Sequence, residues 1–314
     1  MSGSNGVKPI SLAVVSPVHN RRELTLRCLR SLSSIDRTGV SLRITIVDDG
    51  CTDGTGDAIR EEFPEVCIVQ GTGDLWYTAG TNLGIHAALK HKPDYILCIN
   101  DDSIFDEKTV LRLIECAERN PRSVVGALLL LWDTPHKVFQ VAPVWDTWKG
   151  GWQHWYQQTI WTVPSRPWEV EAIVGNCILY PAAVFEEVGL MNPRVSAQYG
   201  DAEFTTRLKK RGWRLLIEPR ARVFCQPNYE HVSLTSRPLK KQIELLFQKR
   251  SSGMNVMHQF RQCVHTGPSK LAGLAAFAAF YAQIARRKIT RSRPQTALEE
   301  ANLADHFAAN VIQD

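Results

Sequence analysis

The chain has 314 residues, of which 44% are hydrophobic and 22% are charged, a composition typical of soluble globular proteins. Its length suits one large domain with appendages. The net charge of +5 is too small to indicate nucleic acid as a partner. No apolar run reaches the roughly 20 residues of a membrane span, and the nearest is the Ala-rich stretch 271–285.

Positive charge is concentrated towards the C-terminus. Between Arg237 and Arg293 there are twelve Lys and Arg residues and one acid, Glu244, so the rest of the chain is net negative. The eight cysteines form no CxxC pair or Cys/His ladder, which argues against a zinc site and a disulfide scaffold and favours a reducing compartment. Residues 1–9 carry no signal-peptide core, so we expect a cytoplasmic protein.

Strands and helices alternate along the first 131 residues. We predict strands over 10–18, 42–47, 66–70, 95–102 and 124–131, with helices between them. After a break at 132–169, we predict a strand over 170–180, helices from 181 and from about 199, and short strands over 213–217 and 221–225. This alternation predicts an α/β fold with a mostly parallel, doubly wound sheet.

The same pattern divides the chain. We predict an N-terminal tail (1–9), an α/β domain (10–235) with a Trp-rich insert at 132–169, a basic helical extension (236–290) and a polar tail (291–314). The insert holds seven of the nine tryptophans, six of them between Trp145 and Trp168, which indicates either a platform for an acceptor or a hydrophobic hairpin packed over the sheet. The basic extension indicates peripheral contact with an anionic membrane, a helical cap or a homodimer contact.

Acidic side chains recur where predicted strands end or helices begin. Asp48 and Asp49 follow the second strand, and Asp101 and Asp102 follow the strand that begins at Tyr95. Because ligands bind at the carboxyl ends of parallel strands, we expect these pairs to face one cleft. A divalent cation carrying phosphate oxygens would relieve repulsion between Asp101 and Asp102, although a turn that caps the next helix also fits.

A third acidic group lies further along the chain. Asp201 opens a helix, where its carboxylate could act as a general base or as an N-cap. Glu203 and Arg207 are four residues apart, so a surface ion pair is the alternative to a role in binding.

Three common motifs are absent. The first strand is followed by Pro17-Val18-His19-Asn20 instead of GxGxxG, and there is no P-loop and no Gly-x-Ser-x-Gly elbow. A dinucleotide cofactor, P-loop chemistry and acyl transfer on such an elbow are therefore excluded.

Several segments, taken in order, resemble glycosyltransferase family 2. They are VSPVHNRR (15–22), IVDDGCTDGT (46–55), GDLWYTAGTNLGIHAAL (73–89), INDDS (99–103), residues 174–192 and YGDAEFTTRLKKRG (199–212). The resemblance covers about residues 10–225, and the segment LWYTAGTN is similar to the subgroup with rhamnosyl- and galactofuranosyl-type transferases.

The resemblance implies a single-domain A-type fold in which 10–235 is the nucleotide-sugar-binding catalytic domain. It also implies inverting transfer from a UDP- or dTDP-linked sugar to a hydroxyl of a glycan or lipid-linked acceptor, with Mg²⁺ or Mn²⁺, in cell-surface polysaccharide synthesis. Such an enzyme would work in the cytoplasm or on the inner face of the membrane.

Individual roles follow from the same resemblance. Asp201 matches the catalytic base, and Asp102 matches the main metal ligand, although Asn100 replaces the first acid of the Asp-x-Asp motif. Some relatives add a metal-binding His after the base, and here Cys225 and His231 lie near that place, with His231 assigned as the ligand. We assign the substrate contacts to Pro17, Asn20, Asp48, Asp49, Trp76, Gly80, Asn82, Asp101, Glu203 and Arg207.

Two other functions compete with this one. A nucleotidyltransferase would also bind nucleoside phosphates at a parallel sheet, but residues 17–22 lack the expected Gly-rich loop. A non-catalytic protein that binds sugar nucleotides is favoured by Asn100 and disfavoured by the acidic residues at 102 and 201.

Overall fold

The computed structural model describes residues 8–155, 157–173, 175–226, 234, 237–249, 252 and 254–291. The strands are β1 (Ile10–Val18), β2 (Val40–Asp48), β3 (Cys67–Gln70), β4 (Tyr95–Ile99), β5 (Ile104–Phe105), β6 (Ser123–Leu131), β7 (Val138–Gln140), β8 (Val144–Asp146), β9 (Gly151–Gln153), β10 (Trp168–Glu169), β11 (Cys177–Pro181) and β12 (Arg214–Cys225). The helices are α1 (Arg22–Ser33), α2 (Thr55–Glu62), α3 (Trp76–Leu89), α4 (Thr109–Arg119), α5 (Ala183–Val188), α6 (Gly200–Lys210), α7 (Leu239–Ile243), α8 (Val256–Thr266) and α9 (Lys270–Arg291).

One large mixed sheet organises these elements. Its main path runs β10-β12-β6-β11-β4-β1-β2-β3, with β5 paired to β12 and β7 paired to β6. The pairs β1–β2, β2–β3, β1–β4 and β6–β12 are parallel, whereas β11 is antiparallel to both β4 and β6. Strand β4 lies near the centre and its residues from Ile96 to Ile99 are buried, as the apolar run predicts.

Helices cover both faces of the sheet. On one face α1, α2 and α4 supply Leu29, Ile59 and Leu113 to a hydrophobic core. On the other face α3, α5 and α6 supply Ile85, Phe185 and Phe204 to a second core. The prediction of a doubly wound α/β fold is therefore confirmed.

The Trp-rich insert and the C-terminal helices lie beside this sheet. Strands β8 and β9 form a separate hairpin, joined by a 3₁₀ turn over Thr147–Lys149. Helix α9 packs against α8 and this turn, and α8 packs against α6. A π-helical turn over Glu244–Gln248 follows α7. No described helix is long and apolar enough to cross a membrane.

Three strand predictions are wrong in detail. The strand predicted over 95–102 ends at Ile99, because Asp101 and Asp102 form a turn that pairs with Arg21. Of the residues that the structure describes between 170 and 180, only Cys177–Tyr180 are in a strand, and the backbone of Ile173 is instead hydrogen-bonded to the side chain of Thr205 in α6. The two strands expected over 213–217 and 221–225 are one strand, β12, with an irregularity between Glu218 and Arg222. Within this strand the carboxylate of Glu218 is buried, and it is neutralised by Arg220 at 2.9 Å. The division at 235/236 stays a prediction.

Candidate active site

The loops after β1 and β2 are tied together at the carboxyl edge of the sheet. Nδ1 of His19 donates to the carbonyl of Asp49 (2.6 Å), and Oδ1 of Asn20 accepts from the N–H of Thr52 (2.7 Å). Asp48 is buried and accepts from the N–H of Cys51 (2.8 Å). Asn20 and Asp48 therefore shape the loops, and their roles as substrate contacts stay predictions.

Asp49 fixes the start of α3. Its carboxylate accepts from the N–H groups of Gly73 (2.7 Å), Leu75 (2.9 Å) and Trp76 (3.2 Å). An anion at this position satisfies N–H groups that the helix itself leaves without partners. Trp76 has φ = 58°, a left-handed conformation that is rare for a bulky residue, and this strained backbone is held by the bond to Asp49.

Arg21 bridges the two carboxylates that follow β4. Its guanidinium donates from Nη1 to Oδ1 of Asp101 and from Nη2 to Oδ2 of Asp102, both at 2.8 Å. Burial raises the pKa of Asp101 to about 6, Arg21 opposes that rise and Asp102 adds to it. The repulsion that suggested a cation between these acids is thus relieved by a side chain of the chain itself.

Asp102 nevertheless retains an atom that suits a divalent metal. Its Oδ1 is buried and has no hydrogen-bond partner within the described part of the chain. A hard cation takes carboxylate oxygens of this kind and completes its coordination with phosphate oxygens. The described residues contain no cluster of three or more His, Cys, Asp or Glu that could hold a metal alone. The donor set therefore fits a metal that arrives with a diphosphate.

Asn100, Cys225 and His231 are the other candidate ligands for a metal at Asp102. Asn100 donates from Nδ2 to Oδ1 of Asn176 (3.0 Å), and Nδ2 of Asn176 lies 3.2 Å from Sγ of Cys225. Burial, together with Asp102, raises the pKa of the Cys225 thiol, which keeps it protonated and makes it a poor ligand. His231 lies outside the described residues, so its assignment stays a prediction.

A cavity of about 390 Å³ lies along these groups. It is lined by Pro17, Arg21, Asp49, Trp76 and Asp101, and by Tyr77, Asn100 and Gln198 at one end. We call it the donor-side cavity, because several of the predicted contacts to the nucleotide-sugar donor line it. The indole of Trp76 is 40% exposed, with its N–H donating to Asp74 (2.8 Å), so Trp76 walls this cavity instead of entering the core.

Asp201 lies in a different environment. It is the second residue of α6, whose N-cap is Tyr199, so the N-cap alternative is wrong. Its carboxylate is buried and Oδ2 accepts from the N–H of Gly175 (2.7 Å). Burial raises its pKa to about 6, against the opposing effect of backbone N–H groups. Such a carboxylate is poised to take a proton near neutral pH.

Asp201 opens into a second cavity of about 720 Å³, the acceptor-side cavity. Trp145 and Trp152 of the hairpin pack edge to face (5.4 Å between ring centroids) and line it. Its other walls are amide and aromatic side chains of β7, of the segment before α6 and of α8 and α9, among them Gln140, Gln198, Tyr199, Gln259, Gln262, Phe280 and Gln283. Tyr77, Asn100 and Gln198 line both cavities, so the cavity of Asp101 and the cavity of Asp201 adjoin.

The remaining predicted contacts have structural partners. The amide of Asn82 donates to the carbonyl of Met191 (2.9 Å) and accepts from its N–H (3.1 Å). Gly80 lets α3 approach β1, because a Cβ there would lie 2.8 Å from Cβ of Pro17. Arg207 pairs with Glu203 (2.7 Å), which is buried, and also donates to two carbonyls of the loop before Met191. Their roles in binding substrate stay predictions.

Sequence reasoning missed Arg21 and the backbone partner at Gly175. A signal for Arg21 was present, because two adjacent acids at a strand end require positive charge and Arg21 follows the neighbouring strand. Gly175 carried no such signal, since its contact with Asp201 arises only when the segment before β11 meets α6.

Comparison with known proteins identifies the family and the fold. The N-acetylglucosaminyl-diphospho-decaprenol L-rhamnosyltransferase of Mycobacterium tuberculosis (strain CDC 1551 / Oshkosh) is 27% identical over 235 residues, which cover 68% of this chain and 75% of that protein. The same figures hold for the protein of that name from strain ATCC 25618 / H37Rv.

Solved structures share the fold at low sequence identity. GalNAc-T7 with UDP, GalNAc and Mn²⁺ has a TM-score of 0.59 and 15% identity, over 91% of this chain and 58% of that chain. Mannosyltransferase PcManGT from Pyrobaculum calidifontis, in complex with GDP-Man and Mn²⁺, has a TM-score of 0.55 and 15% identity, over 98% of this chain and 82% of that chain. These likenesses confirm the predicted A-type glycosyltransferase fold. A family model described as glycosyl transferase family 2 matches residues 13–189, more than half of the sequence, and the chain therefore belongs to that family.

Proposed function

We propose that this chain is an inverting glycosyltransferase that moves a sugar from a UDP- or dTDP-linked donor to a hydroxyl of a glycan or lipid-linked acceptor. One observation carries the proposal: Asp201, a buried carboxylate whose pKa is raised to about 6, lies in a large cavity that adjoins the cavity of Arg21 and Asp101. A candidate base thus lies beside the residues that would hold a metal with the diphosphate of the donor.

The donor-side cavity supplies the groups for the nucleotide. Trp76 offers an indole face on which a nucleobase can stack, and the guanidinium of Arg21 can pair with phosphate oxygens. Asp102, with Asp101 in support, would hold Mg²⁺ or Mn²⁺ through its unpartnered Oδ1. When bound, the metal would neutralise the charge that develops on the leaving diphosphate.

The acceptor-side cavity supplies the base. The acceptor hydroxyl attacks the anomeric carbon, the bond from that carbon to the diphosphate oxygen breaks, and the electron pair leaves with the diphosphate. Asp201 takes the hydroxyl proton as the new bond forms. Trp145, Trp152 and the amides around them offer stacking and hydrogen bonds suited to a neutral sugar. The curated relative from Mycobacterium tuberculosis, an N-acetylglucosaminyl-diphospho-decaprenol L-rhamnosyltransferase, supports a lipid-linked acceptor and synthesis of cell-surface polysaccharide.

The test is transfer from a panel of UDP-, dTDP- and GDP-sugars, nucleotide-linked rhamnose among them, to an N-acetylglucosaminyl diphospho-lipid and to a water-soluble analogue, with and without Mn²⁺. The matched control is Asp201→Asn, which keeps the shape and an acceptor for the Gly175 N–H. We expect the variant to lose about 10²–10⁴-fold in transfer while donor binding changes little.

Two outcomes contradict the proposal. Equal loss of donor binding and transfer in Asp201→Asn would make Asp201 a structural residue. Donor binding by the native chain without transfer from any donor would favour the non-catalytic sugar-nucleotide-binding protein instead.

A further inference from the structure

The outer face of α9 is apolar and exposed. Leu271 is 79% exposed and Leu274 is 44% exposed, and Ala278, Ala282 and Ala285 continue the exposed row at spacings of three or four residues. No charged residue occurs from Leu271 to Ala285. A helix face in contact with water normally carries polar and charged residues, so this face lacks the composition of a solvated surface.

The opposite face of α9 belongs to the body of the protein. Ala276 is fully buried, and Gly273 allows close packing on α8, since a Cβ there would lie 2.5 Å from the carbonyl oxygen of Cys263. Phe280, Gln283 and Ile284 line the acceptor-side cavity. The helix is therefore a wall of that cavity with an apolar outer side.

Neighbouring elements enlarge the apolar surface. Phe260 of α8 is 38% exposed and packs edge to face on Phe277 of α9, with ring centroids 5.5 Å apart. Met257, one turn earlier on α8, is 54% exposed. On the other flank Trp148 is 81% exposed, and its carbonyl accepts from the side chain of Gln283 (3.0 Å). Exposed tryptophans of this kind are typical of membrane interfaces.

The basic residues at the two ends of the apolar stretch indicate what binds this surface. Lys270 precedes the apolar stretch and Arg286, Arg287 and Lys288 follow it, so the sequence is basic at both ends. A second copy of the chain would bring basic ends near basic ends in either a parallel or an antiparallel arrangement. Anionic headgroups would instead complement both ends.

Length decides how a bilayer would be engaged. Fifteen residues of α-helix extend about 22 Å, which is shorter than the roughly 30 Å hydrocarbon core, so the helix suits an orientation in the plane of the interface. We propose that the outer face of α9, with Met257, Phe260 and Trp148, docks on a bilayer that contains anionic phospholipid. Docking does not depend on the proposed function. Its consequence rests on the proposed function, since docking would place the acceptor-side cavity beside a lipid-linked acceptor.

Flotation of the full chain with vesicles tests this surface. The vesicles are phosphatidylcholine alone or phosphatidylcholine with phosphatidylglycerol, each at low and high salt. We expect binding to the anionic vesicles that weakens with salt, and a bound-to-free ratio at least about tenfold lower for Leu271→Glu/Leu274→Glu, which places charge on the apolar face. The matched control, Ser41→Glu/Arg43→Gln, changes net charge equally at exposed positions of β2 and should bind as the native chain does.

Three results would overturn the proposal. They are absence of vesicle binding by the native chain, equal binding by the Leu271→Glu/Leu274→Glu variant, and a native dimer that this variant converts to a monomer without any vesicle binding. Transfer to the water-soluble acceptor tests the proposed function without any membrane, so failure of vesicle docking can be distinguished from failure of the proposed function. Leu271 and Leu274 do not line the acceptor-side cavity, so the variant should keep that transfer even when it no longer floats.

Discussion

Asp49 and Asp201 are equally buried, at 5% exposure each, yet they are used differently. Asp49 accepts hydrogen bonds from three backbone N–H groups at the start of α3. Its carboxylate therefore holds the loop before α3 and the first residue of that helix in place. Asp201 also accepts hydrogen bonds from backbone N–H groups, that of Gly175 on Oδ2 among them, yet burial raises its pKa to about 6. Burial alone therefore does not decide the role of a carboxylate: Asp49 holds the start of a helix, whereas Asp201 lines the acceptor-side cavity.

The largest expected effect is on the donor side. Asp49→Ala leaves the N–H groups of Gly73, Leu75 and Trp76 without their acceptor, and we expect a loss of about 4 kcal/mol in the free energy of unfolding. Urea denaturation measures it. Asp49→Asn, the control, retains one acceptor oxygen and should lose less. An unchanged midpoint in Asp49→Ala would show that the carboxylate is not what holds the start of α3.

Asp201→Asn should increase the free energy of unfolding, whereas Asp49→Ala should decrease it. The folded-state pKa of Asp201 is raised from 3.8 to about 6, so the folded chain binds this proton more tightly than the unfolded chain. The charged form therefore destabilises the fold above pH ~6, and the amide should raise the free energy of unfolding there by about 3 kcal/mol. The gain should vanish below pH ~4, where the acid is protonated in both states. Denaturation at both ends of this range checks the sign, and a gain independent of pH would contradict it.

Arg21→Ala should destabilise the fold through Asp101 and Asp102, which Arg21 pairs, and not through Asp201. Removing the guanidinium leaves Asp101 and Asp102 side by side without a cation, and because Arg21 is partly exposed we expect a loss of about 2 kcal/mol at neutral pH. Below pH ~6 the loss should shrink, since Asp101 can then take a proton more readily.

Mn²⁺ with a nucleoside diphosphate should raise the melting temperature of Arg21→Ala less than that of Arg21→Lys, because the lysine retains a positive charge that can pair with the phosphate oxygens. Thermal denaturation of the two variants provides the comparison. An equal rise in both would show that Arg21 and the metal do not share one centre.

The smallest effect concerns pH and activity. Transfer requires ionised Asp201, so kcat/KM with a water-soluble acceptor should fall about tenfold between pH 7 and pH 5, with an apparent pKa near 6. A pH–rate profile at constant ionic strength measures it, and donor binding followed over the same range is the control. A flat profile would exclude Asp201 as the base whose ionisation limits the rate.

The sequence by itself determined the alternation of strands and helices, the cleft at the carboxyl edge and the acids that approach it. Local pattern suffices for these features, because an apolar run such as 95–99 specifies a buried strand and whatever follows it must lie at the edge of the sheet. The same reasoning placed the start of α6 at Asp201 within one residue.

Tertiary structure decided what each acid does. Asp49, Asp101 and Asp201 have similar local sequence signals, but their partners come from Gly73, Arg21 and Gly175, which are distant from them along the chain. The acceptor-side cavity likewise depends on packing of the Trp-rich hairpin against α9, 135 residues apart at the contact between Trp148 and Gln283. Such contacts depend on how whole elements pack, and no window of the sequence contains both partners.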